Sequence, residues 1–77
     1  MSANNTWVVM ARFTLTDSEG YPRRDEEGFI EHGGAQPVFR TSSYEAAARY
    51  VSDHERDEQA LYGDAMFAPY TLYSIVG

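Results

Sequence analysis

Residues Thr6 to Thr16, TWVVMARFTLT, decide the fold. Trp7, Val9, Ala11, Phe13 and Leu15 alternate with Val8, Met10, Arg12, Thr14 and Thr16. Period-two spacing in a run rich in aromatic and β-branched residues predicts a strand, with the odd-numbered side chains turned toward a core. The strand is expected to end at Asp17, Ser18, Glu19 and Gly20, a polar turn whose glycine supplies positive φ.

Working outward, Tyr21 and Pro22 can open a second strand, Arg23 to Gly28 reads as a charged loop, and the residues around Phe29 read as a short edge strand. Pro37, Val38 and Phe39 form the next apolar run and feed a helix. Ser42 and Glu45 have capping-box spacing, and Ala46, Ala47 and Ala48 follow with strong helix propensity. Tyr44, Ala47, Ala48 and Val51 lie on one stripe of that helix, and Gly63 is its natural stop. Ala65, Met66, Phe67 and Ala68 make an apolar connector, and Tyr70 to Val76 reads as a closing strand. No internal repeat is apparent. The expectation is a single α+β domain over residues 1–77: an antiparallel sheet of three or four strands with one helix on one face, in the order strand, strand, helix, strand.

Composition narrows the function. Twelve Asp and Glu face six basic residues, all Arg, and the formal net charge is -6. Nucleic acid and anionic membranes both need a basic footprint, so direct binding to either is not expected. A chain of 77 residues leaves no room for a second lobe, and without Cys its stability rests on packing or association. Six Tyr, four Phe and one Trp point to packing. The start, Met1 to Asn5, lacks the basic and apolar runs of a signal peptide, so a cytoplasmic protein is expected.

No catalytic, cofactor or metal motif is present. His32 beside Glu31 and His54 beside Asp53 are the candidate bases, but neighbouring residues in a strand or helix diverge in direction, which favours structural histidines. Asp25, Glu26, Glu27 and Glu31 lack the alternating ligands and central glycine of a calcium loop.

Two surfaces remain. Asp53, Glu55, Asp57 and Glu58 crowd toward the negative end of the helix dipole, where exposed acids are unfavourable by about 0.3–1 kcal/mol each. Together with Asp25, Glu26 and Glu27 they are read as an acidic face aimed at a basic surface on a partner protein. The second surface is the sheet face away from the helix, to which Val8, Met10, Tyr73 and Ile75 are assigned as a self-association face for a homodimer.

A tiny, acidic, cysteine-free domain of this composition resembles, in general type, the phage-encoded inhibitors of bacterial defence, anti-CRISPR proteins in particular. These share no motif, so the resemblance assigns no residue a role. It implies a binding protein without catalysis that acts in the cytoplasm of a bacterial host. Its target would be a nucleic-acid-binding complex such as a CRISPR effector, blocked sterically or by mimicry of nucleic acid. The alternative from the same residues is a small self-associating virion or regulatory protein.

Overall fold

The computed structural model describes residues 6–63 and 68–77. The apolar connector Ala65 to Phe67 and the first five residues lie outside them. Strands β1 (Trp7–Arg12), β2 (Gln36–Thr41) and β3 (Leu72–Val76) form an antiparallel sheet in the order β2-β1-β3, and helix α1 (Tyr44–Tyr62) packs on one face. This is the α+β arrangement and element order that the sequence predicts.

The central strand supplies the core. Val9 and Ala11 are buried from the sheet side and Ala47 from the helix. Alanine at 47 lets the helix lie close, and the gap around it is filled with rings. Tyr50 stacks on Phe39 with centroids 4.7 Å apart, His54 stacks on Tyr50 at 4.0 Å, and Tyr73 meets both edge-on. Trp7 closes the other end against Tyr44 at 5.0 Å. Such ring pairs contribute about 0.5–1.5 kcal/mol each beyond the area they bury. At the β2 edge, Val9 pairs with Phe39 but Met10 with Pro37, leaving Val38 as an extra residue. Proline has no N–H to give the ladder, so a bulge beside it is the natural accommodation.

β1 stops at Arg12, four residues before the alternation does. Beyond it the backbone groups are taken by a different structure. Leu15 donates its N–H to Glu31 O, Glu31 to Arg23 O, and Arg23 to Leu15 O, each at 2.9 Å. The three residues close a cycle. Around it Thr14 bridges His32, Pro22 bridges Thr16, and Ile30 bridges Arg24. A third ring of bonds joins Gly33 N to Phe13 O, Asp17 N to Tyr21 O, and Asp25 N to Phe29 O. Every contact recurs after eight residues, so the segment 13–33 is a three-way junction with pseudo-threefold symmetry. One arm continues toward β1 and β2, and the other two are hairpins.

The sequence carries this repeat. Phe13 to Gly20 and Tyr21 to Gly28 both read aromatic, three variable residues, Asp, one variable residue, Glu, Gly, and Phe29 opens a third unit. The expectation of no internal repeat, with a loop from Arg23 to Gly28, is therefore corrected. Each Asp builds its turn: Asp17 Oδ1 accepts from the N–H of Glu19 and Tyr21, and Asp25 Oδ1 from Glu27 and Phe29. Gly20 and Gly28 have φ of 87° and 90°, the conformation that closes a three-residue hairpin loop. The third unit has Gly33 where the others have Asp, because the chain there makes no turn and runs on into β2. Phe13, expected in the core, belongs to the junction and is 43% exposed.

The helix cap also differs from expectation. Ser43, not Ser42, is the N-cap: its hydroxyl accepts from Ala46 N at 3.2 Å, while its own N–H donates to Thr41 Oγ1. Glu45 consequently falls one position short of the capping box, although it still lies in the first turn. Ser43→Ala should lower stability by about 1 kcal/mol in urea unfolding, and Ser42→Ala by much less. The opposite order of the two variants would return the cap to Ser42.

Candidate functional site

Helix α1 runs unbroken through its acidic half to Tyr62, where Gly63 N donates to Gln59 O at 2.7 Å. Its last turn holds no basic residue. The four acids divide. Asp53 pairs with Arg56 at 2.7 Å, a surface contact of small energetic weight. Glu55 and Asp57 are exposed. Glu58 turns inward, and its Oε2 accepts from Thr71 N at 2.8 Å. Glu58 is thus a tether between the helix and the strand approach, and it leaves the outward acidic face that the sequence assigns it to.

That tether sets where β3 begins. Tyr70 N is taken by Ala68 O across Pro69, and Thr71 N by Glu58, so the ladder starts at Leu72 instead of Tyr70. Asp25, Glu26 and Glu27 sit on the second hairpin of the junction, with Asp25 committed to its turn and Glu26 and Glu27 exposed at the tip. The acidic face is therefore carried on two separate elements.

Two cavities flank Glu58. One, of about 430 Å³, is lined by Glu55, Glu58, Gln59, Tyr70, Thr71 and Leu72. The other, also about 430 Å³, lies between the junction and the helix end and includes Thr14, Pro22, Glu58, Tyr62 and Pro69. Thr14 Oγ1 and Glu58 Oε1 are both buried without a hydrogen-bond partner among the described residues. An unpaired buried acceptor is unfavourable by about 1–3 kcal/mol, and by more when it is charged. The sequence gives no sign that Thr14 and Glu58 line one cavity, because only the junction brings Thr14 to the end of the helix.

The charge of Glu58 reaches Tyr73. Burial raises the Tyr73 phenol above its ordinary value of 10.0, Glu58 and more weakly Glu55 raise it further, and a hydrogen bond from the Thr71 side chain acts in the opposite direction.

The assigned self-association face is corrected by the strand register. Val9 pairs with Ile75 and Ala11 with Tyr73, and paired residues share a face, so Tyr73 and Ile75 lie on the helix side. Val8 and Met10 are on the uncovered side with Val76 and Ser74, their partners in the ladder, and Leu72 opposite Arg12. Leu72 and Val76 are 45% and 48% exposed.

Both histidines point at backbone carbonyls. His32 Nε2 donates to Tyr70 O at 2.6 Å, and His54 Nδ1 to Tyr50 O at 2.8 Å. His32 ties the junction to the approach to β3, whereas His54 bonds a carbonyl of its own helix. Among the described residues no group of three or more His, Asp or Glu is placed to hold a metal ion, and no helix is long and apolar enough to cross a membrane. Compared with protein-family models, curated proteins and solved structures, the chain matches none.

The Tyr73 shift has a consequence at alkaline pH. A proton held more tightly in the folded state favours folding fully below pH 10.0, and that contribution is lost as pH rises through the raised folded value. Tyr73→Phe removes the ionisation, so the variant should lose less stability than the parent between about pH 9 and 11 in urea unfolding. Equal losses would place the Tyr73 hydroxyl in an ordinary, solvated setting.

Proposed function

We propose that this chain is a non-enzymatic binding protein, encoded by a phage or mobile element, that inhibits a nucleic-acid-binding complex of a bacterial host, a CRISPR effector being the type case. The observation that supports this most is the unopposed acid of α1: its one arginine beyond Ser52, Arg56, is paired with Asp53, and Glu55 and Asp57 stay exposed without a basic partner in the last turn. Solubility alone would be served by acids placed anywhere on the surface. Asp53 and Asp57, one turn apart on the same face of a rigid helix, offer a basic groove part of what a phosphate backbone offers it, and together with Glu55 on the opposite side they steer the encounter from a distance. Glu26 and Glu27, presented at a hairpin tip, extend the same sign of charge.

The binding residues are then Asp53, Glu55 and Asp57 on the helix and Glu26 and Glu27 on the junction, with Asp25 holding the tip in shape. Charge reversal of Asp53, Glu55 and Asp57 to Lys should leave the fold intact, because all three side chains lie outside the core. The variant should bind its partner more weakly. For the parent, affinity should fall as salt rises from about 50 to 500 mM, since the screening length shrinks from about 14 to 4 Å. Partner binding can be measured by capture from a host lysate followed by titration of the purified partner. A triple variant that binds as tightly as the parent at low salt refutes the acidic contact. It would move the interface to the uncovered sheet face of Val8, Met10, Leu72 and Val76.

A further inference from the structure

We infer that the open face of the junction, the one turned away from the approach to β3, is a docking surface for a protein patch with an apolar centre and a basic rim. The backbone pairing fixes the two faces. Residues opposite one another in an antiparallel pair share a side, and every second residue of an arm does too, so the bridges Thr14–His32, Thr16–Pro22 and Arg24–Ile30 put these six side chains on one face. Phe13, Leu15, Tyr21, Arg23, Phe29 and Glu31 alternate with them and take the other face. The first face is covered: Pro69 and Thr71 line one cavity with Thr14, Thr16 and Pro22, and Ala68 and Tyr70 line another with Ile30 and His32. The second is open. Its four large apolar side chains, Phe13, Leu15, Tyr21 and Phe29, are all exposed, Tyr21 by 66%. Arg23 and Glu31 join across it, and Leu15 lies over Gly33, where an added Cβ would stand 3.3 Å from Leu15 Cδ2.

The octad repeat opens each of its units with an aromatic residue, so the pseudo-threefold axis sets three rings around one centre. Apolar side chains exposed singly are ordinary on a protein surface, whereas several gathered on one face mark a place of contact. The junction itself is closed by backbone bonds and by the Asp17 and Asp25 turns, which leaves the rings available to a partner. A large aromatic side chain on a rigid support is the kind of residue that carries binding energy in protein interfaces. Charge then selects the occupant. Exposed Glu19 on one hairpin tip and Glu26 and Glu27 on the other flank the face, while Arg23 is turned to Glu31 and Arg24 to the carbonyl of Gly28. A second copy would bring the same acidic rim and set like charges together, which is repulsive; a basic rim meets it favourably. The face is also continuous with the proposed acidic surface through Glu26 and Glu27. That its occupant is the host complex rests on the function proposed above; that the face takes apolar and basic groups together does not.

The test is an amide-resolved NMR titration of the whole chain with three capped tetrapeptides: Leu-Trp between two arginines, Leu-Trp between two glutamates, and Gly-Ser between two arginines. The first should shift the amides of Leu15, Tyr21, Arg23 and Glu31 saturably, and the other two should bind these residues at least about tenfold more weakly, one lacking the charge match and the other the apolar centre. Tyr21→Ser should weaken the first peptide by about fivefold or more, whereas Leu61→Ser, which removes a large exposed side chain from the helix, should change it little. Should Tyr21→Ser fail to fold, the ranking of the three peptides on the parent chain decides the same point. No saturable shift at these amides, or shifts centred on Val8, Met10, Leu72 and Val76, overturns the docking surface. The glutamate peptide matching the arginine peptide overturns the basic rim. Shifts at these amides that grow with protein concentration in the absence of peptide make the occupant a second copy and overturn the assignment to a partner. If the peptides rank as expected but a captured partner holds Tyr21→Ser as tightly as the parent, the face stands and its use by that partner is overturned. The charge-reversal experiment on Asp53, Glu55 and Asp57 reports on the helix separately.

Discussion

Three backbone hydrogen bonds, from Leu15 to Glu31, Glu31 to Arg23 and Arg23 to Leu15, constrain everything on the far side of the sheet. A chain that leaves β1 at Arg12 must return to begin β2 at Gln36, and each backbone donor and acceptor on the way needs a partner. An irregular loop of that length would leave them to water. The cyclic junction pairs them internally, and it does so with two Asp-Gly turns and almost no buried apolar surface. Arg23 and Glu31, both members of the cycle, also join through their side chains at 3.2 Å. Because its three arms are locked together, the junction holds Thr14 and Pro22 at the end of α1 and His32 on the carbonyl of Tyr70.

The same constraint explains why the acid on the helix behaves in two ways. Where the junction and the approach to β3 close over the helix, Glu58 is drawn in and made to hold Thr71. Where nothing covers the helix, Glu55 and Asp57 remain in water. A single run of acids on the sequence thus becomes one inward-turned carboxylate, Glu58, and exposed carboxylates on different sides of the helix. Tyr73, sensing Glu58 first and Glu55 less, lies on the core side of that division.

Much of the fold is legible in the sequence because it rests on periodicity. The alternation from Trp7 to Arg12 and the alanine-centred stripe of the helix specify a strand and a packed face, and those elements stand where the pattern puts them. The misses share a cause: each depends on which backbone groups are already taken. The alternation of β1 continues through Thr16, yet the strand ends at Arg12 because the junction claims the next carbonyls. Two adjacent serines are equal candidates for the cap, and only the bond from Ser43 N to Thr41 Oγ1 selects between them. Tyr73 and Ile75 were assignable to either face until register with β1 placed them with Ala11 and Val9. The octad repeat was present in the letters, but two full copies and a fragment are faint unless the three-way pairing is in view. At the site, exposed Glu55 and Asp57 can be read from helical position alone. The inward turn of Glu58 onto Thr71 N is a tertiary fact.

Amide hydrogen exchange at Leu15, Arg23 and Glu31 tests the junction most directly. If the three bonds form one closed cycle, the three amides exchange with a common opening free energy, protected despite their position far from the core, and Asp25→Ala, which loosens one arm, releases all three together. If they exchange at the rate of an unstructured chain while the amides of β1 stay protected, the segment is an ordinary loop. The placement of Thr14 and Pro22 at the end of α1 then has no support.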